Sequence, residues 1–459
     1  MTDDRATSVR WRIVGLLLAT SALVHFNRIS ISVAGNERLQ AQFGIPETTL
    51  GNLYSAYLIA YTLLMTPGGW FIDRFGPRAA LLVVGFGSAV CVGLCGAAGF
   101  AMATAAGIVS VLIAIRLFMG VANAPFHPGA AYAVAKWIPG PQRAGVNGLV
   151  NAAALLGISS TYYLFGFMMD RLGWPTAFLA AAAVTAAVAA AWAGYSASAP
   201  ARHRGVNGAE RRLIEAEAPG RPVRRRSSGV PPWKRRSVIL LTLSYAAVGY
   251  FQYLFFYWMQ HYFDKILGLG KADGRLYATI PAVAMAIGMA AGGWLTDRAQ
   301  ALLGARRGRI AVTMSGMMLS AALLGGGVLC REPFWIVTFF SLALASLGAS
   351  EGAFWTTAVD LGGERAGVSA AIVNTGGNAG GALAPWLTPR ISLVFGWHAA
   401  LIVACVFCFI GAILWAWIDP DEGCDPLPTG GASPSSESPV GHPSPVARSP
   451  IASPSGAGA

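Results

Sequence analysis

Three ionisable residues lie where a bilayer makes them costly. Arg28 stands within the apolar run VHFNRISISVAG, Arg116 within IRLFMGVANAPFHP, and Glu351 within GASEGAFW. An ionisable side chain at such depth is either functional or tightly paired. Guanidinium stays charged when buried and grips a carboxylate through two parallel N–H bonds. Two arginines from opposed helices would therefore line a cavity for a small anion. The structural alternative is that each bonds backbone carbonyls or a carboxylate of the same chain, and Arg116 can equally brace the cavity from behind. Burial favours the uncharged form of a carboxyl, which makes Glu351 a candidate for reversible protonation. A permanent ion pair with Arg28 or Arg116 is its alternative. His25 lies three residues before Arg28, on nearly the same helical face, and His127 sits between Phe126 and Pro128. Imidazole titrates near neutrality, so both are further proton-carrying candidates beside the plainer role of packing.

Groups suited to hydroxyls stand nearby in sequence type. The run SYAAVGYFQYLFFYWMQHYF carries Tyr245, Gln252, Tyr253 and Tyr257. The competing explanation is an aromatic belt at the membrane surface, which suits Trp258 and Tyr262. Asn374 and Asn378 fall four apart, on one helical face. The glycines around them (Gly376, Gly377, Gly380 and Gly381) fit close helix packing better than a phosphate loop. The chain shows no Walker motif, no metal-ligand cluster and no nucleophile beside a base. No cofactor, metal or enzymatic reaction is expected. Five of the six cysteines lie in or beside apolar runs, as small packing residues do.

These residues need helices to hold them, and the composition supplies them. The chain has 459 residues, 55% apolar, with only 12% charged and a mean hydropathy of +0.54. So little charge cannot coat a soluble protein. The net charge of +12 is spread in short clusters between apolar runs, which argues against nucleic acid. Twelve segments reach the length of roughly 20 residues that a spanning helix needs. They are α1–α6 at about 12–35, 50–73, 79–99, 103–134, 144–168 and 174–198, then α7–α12 at about 238–263, 275–297, 310–329, 333–359, 367–390 and 397–418. Residues 1–11 form a short N-terminus, 12–198 and 238–418 two six-helix bundles, 199–237 a basic linker, and 419–459 a Pro/Ser-rich tail expected to be disordered. Arg221, Arg224, Arg225, Arg226, Lys234, Arg235 and Arg236 make that linker a solvated segment beside anionic lipid. Most Lys and Arg fall on the N-terminus, alternate loops, linker and tail, so both termini are expected in the cytoplasm. No cleavable signal is evident, and α1 is expected to stay in the membrane.

The bundles repeat each other. GGWFIDR at Gly68–Arg74 recurs as GGWLTDR at Gly292–Arg298, RAGV at Arg143–Val146 as RAGV at Arg365–Val368, and Gly173–Trp174 as Gly396–Trp397, all at nearly one offset. Parallel repeats place a cavity on the axis between halves. A local match of Gly120–Phe126 with Gly348–Phe354 overlays Asn123 on Glu351.

With these residues in view the chain resembles the major facilitator superfamily. Gly69, Asp73, Arg74, Gly76 and Arg78 match its loop between helices two and three, and Asp297 with Arg298 form a degenerate second copy. The resemblance implies a gate in which charges at helix ends interlock the bundles in one state and release in the other. Within the superfamily the segments around Arg28 and Arg116, QRAGVNGL and NTGGNAGG are similar to the anion:cation symporter family, which includes sugar-acid permeases. That resemblance implies an inner-membrane, monomeric symporter of a small organic anion, working by alternating access, with Arg28 and Arg116 at the substrate or coupling site. Two departures matter. Proton-coupled relatives carry acids where this chain has Asn27 and Asn123, and an amide holds no useful proton. Coupling would then pass to Glu351, or the chain would act as an exchanger or uniporter. A non-transporting receptor is the remaining alternative.

Overall fold

A computed structural model describes residues 5–139, 142–215, 231–362, 365–419 and 422, apart from the side chains of Asp73, Ala144, Ala305 and Ala366. Its twelve membrane helices form two bundles of six. In the first bundle α1 is Val9–Ala34, α2 and α3 are two arms of Glu47–Ala101, and α4 is Ala105–Asn123, resumed after Pro125 as Phe126–Trp137. Helix α5 is Arg143–Ser160 continued by Gly166–Leu172, and α6 is Trp174–Tyr195. In the second, α7 is Arg236–His261, α8 Lys271–Leu303, α9 Ala305–Leu329 and α10 Pro333–Gly362, while α11 and α12 share Ala366–Leu414.

Ten stretches among the described residues are long and apolar enough to cross a membrane. Two details bring the count to twelve. The stretch Gly367–Trp417 holds both α11 and α12, and α2 is less apolar because it spends positions on Tyr54, Ser55, Tyr57 and Tyr61. The outer surface is apolar, with Leu63, Phe118, Ile287 and Val394 exposed, as a surface facing hydrocarbon must be.

The repeat is visible in the backbone. The chain turns at Gly76 (φ 80°) between α2 and α3 and at Gly304 (φ 85°) between α8 and α9. It does the same at Gly173 (φ 77°) between α5 and α6 and at Gly396 (φ 82°) between α11 and α12. Glycine adopts positive φ without the penalty a Cβ imposes, so each pair marks one turn used twice.

Each bundle is also fastened by a carboxylate. Glu210, on the short helix Gly208–Glu215 after α6, accepts from the backbone N–H groups of Val9 (3.2 Å) and Arg10 (3.1 Å) and pairs with the Arg10 side chain at 3.3 Å. Glu422, beyond α12, accepts from the N–H groups of Arg236 (2.9 Å) and Ser237 (2.6 Å). The first N–H groups of a helix have no partner within it, and negative charge is favoured there. Each carboxylate ties the first helix of its half to the segment that follows the sixth.

Three points depart from the sequence reading. The linker is not solvated throughout, since Glu210 is fully buried on α1. Arg235 is buried as well and donates to the Leu361 carbonyl at the end of α10, where orphan carbonyls attract a cation. Trp258 and Tyr262 are buried against Trp397 rather than set in a surface belt. Arg221, Arg224, Arg225 and Arg226 lie outside the described residues, as does the tail apart from Asp419 and Glu422.

Candidate functional site

Arg28 is held on the inner face of α1 and is almost fully buried. Its Nη2 donates to the Tyr253 hydroxyl of α7, across the interface between halves. Its guanidinium lies over the rings of Tyr253 (4.6 Å), Tyr57 (5.0 Å) and Tyr61 (5.6 Å). Arg116, on α4, also lies over the Tyr57 ring, at 4.7 Å. Its Nη2 donates to the backbone carbonyl of Arg28 (3.1 Å) and to the Tyr257 hydroxyl (3.4 Å). The two arginines thus share one tyrosine ring, and Arg116 supports α1 from behind Arg28. Neither has a carboxylate within 4 Å among the described residues, and the Nε of each is buried without a hydrogen-bond partner. Aromatic faces and phenol oxygens soften a buried cation but do not neutralise it. The cluster is a buried positive centre with N–H groups to spare.

Tyr57 and Tyr61 come from α2, where the spacing of Tyr54, Tyr57 and Tyr61 places all three on one face. Asn123 of α4 fixes Tyr57, donating to its hydroxyl at 3.3 Å while accepting from Ser88 at 2.6 Å. Asn27 points elsewhere and donates to Thr185 of α6 at 2.8 Å. The two asparagines at the customary acidic positions therefore serve different ends. One orients the tyrosine that both arginines share, and the other ties α1 to α6.

Glu351 is buried on α10 and accepts from the Tyr245 hydroxyl of α7 at 2.9 Å. It forms no ion pair with Arg28 or Arg116. Helix α7 thus links all three intramembrane charges through phenols: Tyr245 to Glu351, Tyr253 to Arg28 and Tyr257 to Arg116. At 1.5 Å per residue, Tyr245 and Tyr253 stand about 12 Å apart along the helix. His25 and His127 meet edge to face at 5.4 Å, with His25 Nδ1 at 2.9 Å from the Ser21 carbonyl. Asn374 and Asn378 are bonded to each other at 3.2 Å and face Met65 of α2. Gln252 turns away toward Met285 of α8. The glycines beside the asparagines let α11 press on α7, where a Cβ on Gly377 would meet the Tyr245 ring at 2.5 Å and one on Gly381 the Tyr253 ring at 2.5 Å.

Among the described residues, no bond joins the loop between α2 and α3 to the second half. Arg78 donates to the carbonyls of Ser196 (2.9 Å) and Ala193 (2.6 Å) at the end of α6, within its own bundle. Arg74, Asp297 and Arg298 are exposed, and a Cβ on Gly69 would meet no atom within 4 Å. The Asp73 side chain lies outside the described residues. Sequence reading missed Tyr57 and Tyr61, although their helical spacing was a usable signal. It also missed Glu37, Asp170 and Arg275, which looked like ordinary charges near helix ends.

A helical bundle holding, between two repeated halves, a cationic centre with no carboxylate partner among the described residues defines a multi-pass membrane protein with an internal polar site. The Major Facilitator Superfamily family model matches residues 17–385, and the chain belongs to that superfamily. It is 25% identical to the D-galactonate transporter of Escherichia coli O6:H1, over 88% of this chain and 94% of that one. It is likewise 25% identical to the "Probable sulfoacetate transporter SauU" of Cupriavidus necator, over 82% and 86%. Its fold matches the crystal structure of a bacterial homolog to the human lysosomal transporter Spinster, in an inward-facing and unoccupied conformation. There the TM-score is 0.71 at 15% identity, covering 90% of this chain and 98% of that one.

Proposed function

We propose that this chain is a secondary active transporter that carries a small organic anion, a sugar acid or another small carboxylate, by alternating access. The observation that carries the reading is the pair of buried arginines without a carboxylate partner among the described residues. A buried cation demands an anion or several hydrogen bonds, and Arg28 keeps donors free for one. Tyr253, Asn374 and Asn378 supply acceptors and donors for hydroxyls on the rest of the substrate. The names of the relatives, a sugar-acid transporter and a sulfonated-carboxylate transporter, point the same way.

Protons are the coupling ion in this reading, with Glu351 as first carrier and the His25–His127 pair as second. Exchange or uniport is the competing reading, favoured by Asn27 and Asn123, whose amides hold no proton. The bundles 12–198 and 238–418 act as the two rocking bodies of a monomer in the cell's inner membrane, with both termini in the cytoplasm.

Uptake of labelled aldonates, aldarates and sulfoacetate into proteoliposomes, with and without an inward proton gradient, tests this. Accumulation above equilibrium only with the gradient supports symport. Uptake that ignores the gradient but requires an internal anion supports exchange. Failure to move any carboxylate overturns the substrate class.

A further inference from the structure

At the end of the bundle where α1 finishes, the two halves are joined by a charge cluster that is buried at Glu37 and Arg275 and open to the surface at Asp170. Arg275, near the start of α8, is the only charged member from the second half among the described residues. Its guanidinium makes a two-toothed bond to Glu37 just beyond α1, with Nε at 2.8 Å and Nη2 at 2.6 Å. Its Nη1 and Nη2 also donate to Asp170, near the end of α5, at 2.5 and 3.1 Å. Arg38 holds Asp170 from the first half at 2.5 Å, and Gln260 of α7 donates to Glu37. The Glu37 side chain is fully buried and that of Arg275 nearly so.

The first half is shaped to admit this arginine. Gly166 of α5 lies where a Cβ would come within 2.2 Å of Arg275 Nε and 2.5 Å of Cζ. Only a glycine leaves room for the guanidinium between Glu37 and Asp170. The socket is lined by two turns of π-helix, Gly35–Leu39 and Thr161–Phe165, a form that often marks functional positions. Other bonds between halves lie at the same end or at the level of Arg28, among them Glu47 to His261 (2.9 Å), Arg390 to Asn52 (2.9 Å), Ser55 to the Ala382 carbonyl (2.8 Å) and Tyr162 to the Phe256 carbonyl (2.8 Å). Toward the termini, Asn374 and Asn378 reach only a methionine sulfur across the interface.

We infer that Arg275 and its socket of Gly166, Glu37 and Asp170 are the latch that closes this end of the transport path, and that the latch must open for the site to face the other way. The inference rests on the alternating-access reading above. It assigns positioning residues, since none of the four touches the Arg28 centre. Charged hydrogen bonds made by a buried two-toothed pair are among the strongest a protein forms, so losing them moves the balance between the two states.

The test uses the full chain with its six cysteines replaced by serine, reconstituted in nanodiscs without substrate. Spin labels at Ala41→Cys and Ala272→Cys report the latch end, and labels at Phe75→Cys and Leu302→Cys report the opposite end, by pulsed electron paramagnetic resonance. Arg275→Ala, Glu37→Gln and Gly166→Ala are each expected to raise the long-distance population at the latch end by on the order of tenfold and to shorten the opposite pair. Gly166→Ala is the discriminating variant, because it removes no charge and only fills the socket. Glu37→Gln added to Arg275→Ala should have no further effect. If Arg275→Ala broadens both distributions, as unfolding does, the reading passes to Glu37→Gln and Gly166→Ala. An unchanged latch-end distance in those two overturns the inference. A shift at one end alone would overturn alternating access itself while leaving the latch standing.

Discussion

At the residue scale, the proposed function concentrates on one guanidinium. Among the described residues the Arg28 guanidinium meets phenols and aromatic faces and no carboxylate, which leaves its charge for a ligand in the proposed reading. Arg28→Gln is expected to lower uptake at least ~30-fold, since losing one partner of a buried charged pair costs about 2 kcal/mol or more. Arg28→Lys should recover little of it, because an ammonium cannot reproduce the planar fork. Uptake kinetics on the substrate found by the panel decide this, and near-normal transport by Arg28→Gln would remove Arg28 from the site. Glu351→Gln probes a different step. If Glu351 carries the coupled proton, the variant loses gradient-driven accumulation and keeps exchange of labelled for unlabelled substrate. Unimpaired accumulation would take coupling away from Glu351 and leave the histidine pair to examine.

At the element scale, the contact between α7 and α11 sets where the phenols stand. A Cβ on Gly249 would approach the Gly377 carbonyl oxygen to 1.9 Å, and backbone cannot step aside as a side chain can. Gly249→Ala is expected to destabilise the protein by about 1–3 kcal/mol, the usual cost of overpacking. Gly148→Ala, at a position with no atom within 4 Å, should be neutral or slightly stabilising. Thermal unfolding in detergent compares the pair, and equal midpoints would show that the helices are not in tight contact. The carboxylate clamp makes a second prediction. Glu210→Ala releases two backbone donors of α1 and the Arg10 side chain, for a loss of about 1–2 kcal/mol by the same measurement.

At the scale of the whole molecule, the polar bonds across the interface among the described residues lie mostly at one end, where the Arg275 cluster forms the proposed latch. In the proposed orientation, with both termini in the cytoplasm, that end faces outward. Single cysteines at Ala41 and Leu302, in the background without other cysteines, should react with a membrane-impermeant maleimide from opposite sides of intact cells. Ala41→Cys is expected to react directly and Leu302→Cys only after permeabilisation. The reverse pattern would invert the proposed orientation.

Much of this was legible in the chain itself. Long apolar runs fix spanning helices because a bilayer leaves backbone polar groups no other partner than the helix. Repeats at one offset fix the two-bundle plan, and the rarity of charge within those runs singled out Arg28, Arg116 and Glu351. Each of these is a local signal, carried by composition or spacing along one helix. The tertiary structure decided what the local signals could not contain, which is who faces whom. Arg116 turns to the backbone of α1, Gln252 turns from the site, and Glu351 takes a phenol instead of an arginine. Glu37, Asp170 and Arg275 read singly as unremarkable helix-end charges. They become a cluster because three helices from two halves converge on the space beside Gly166. Pairing between residues more than a hundred positions apart depends on helix rotation and packing, and a single sequence does not record either.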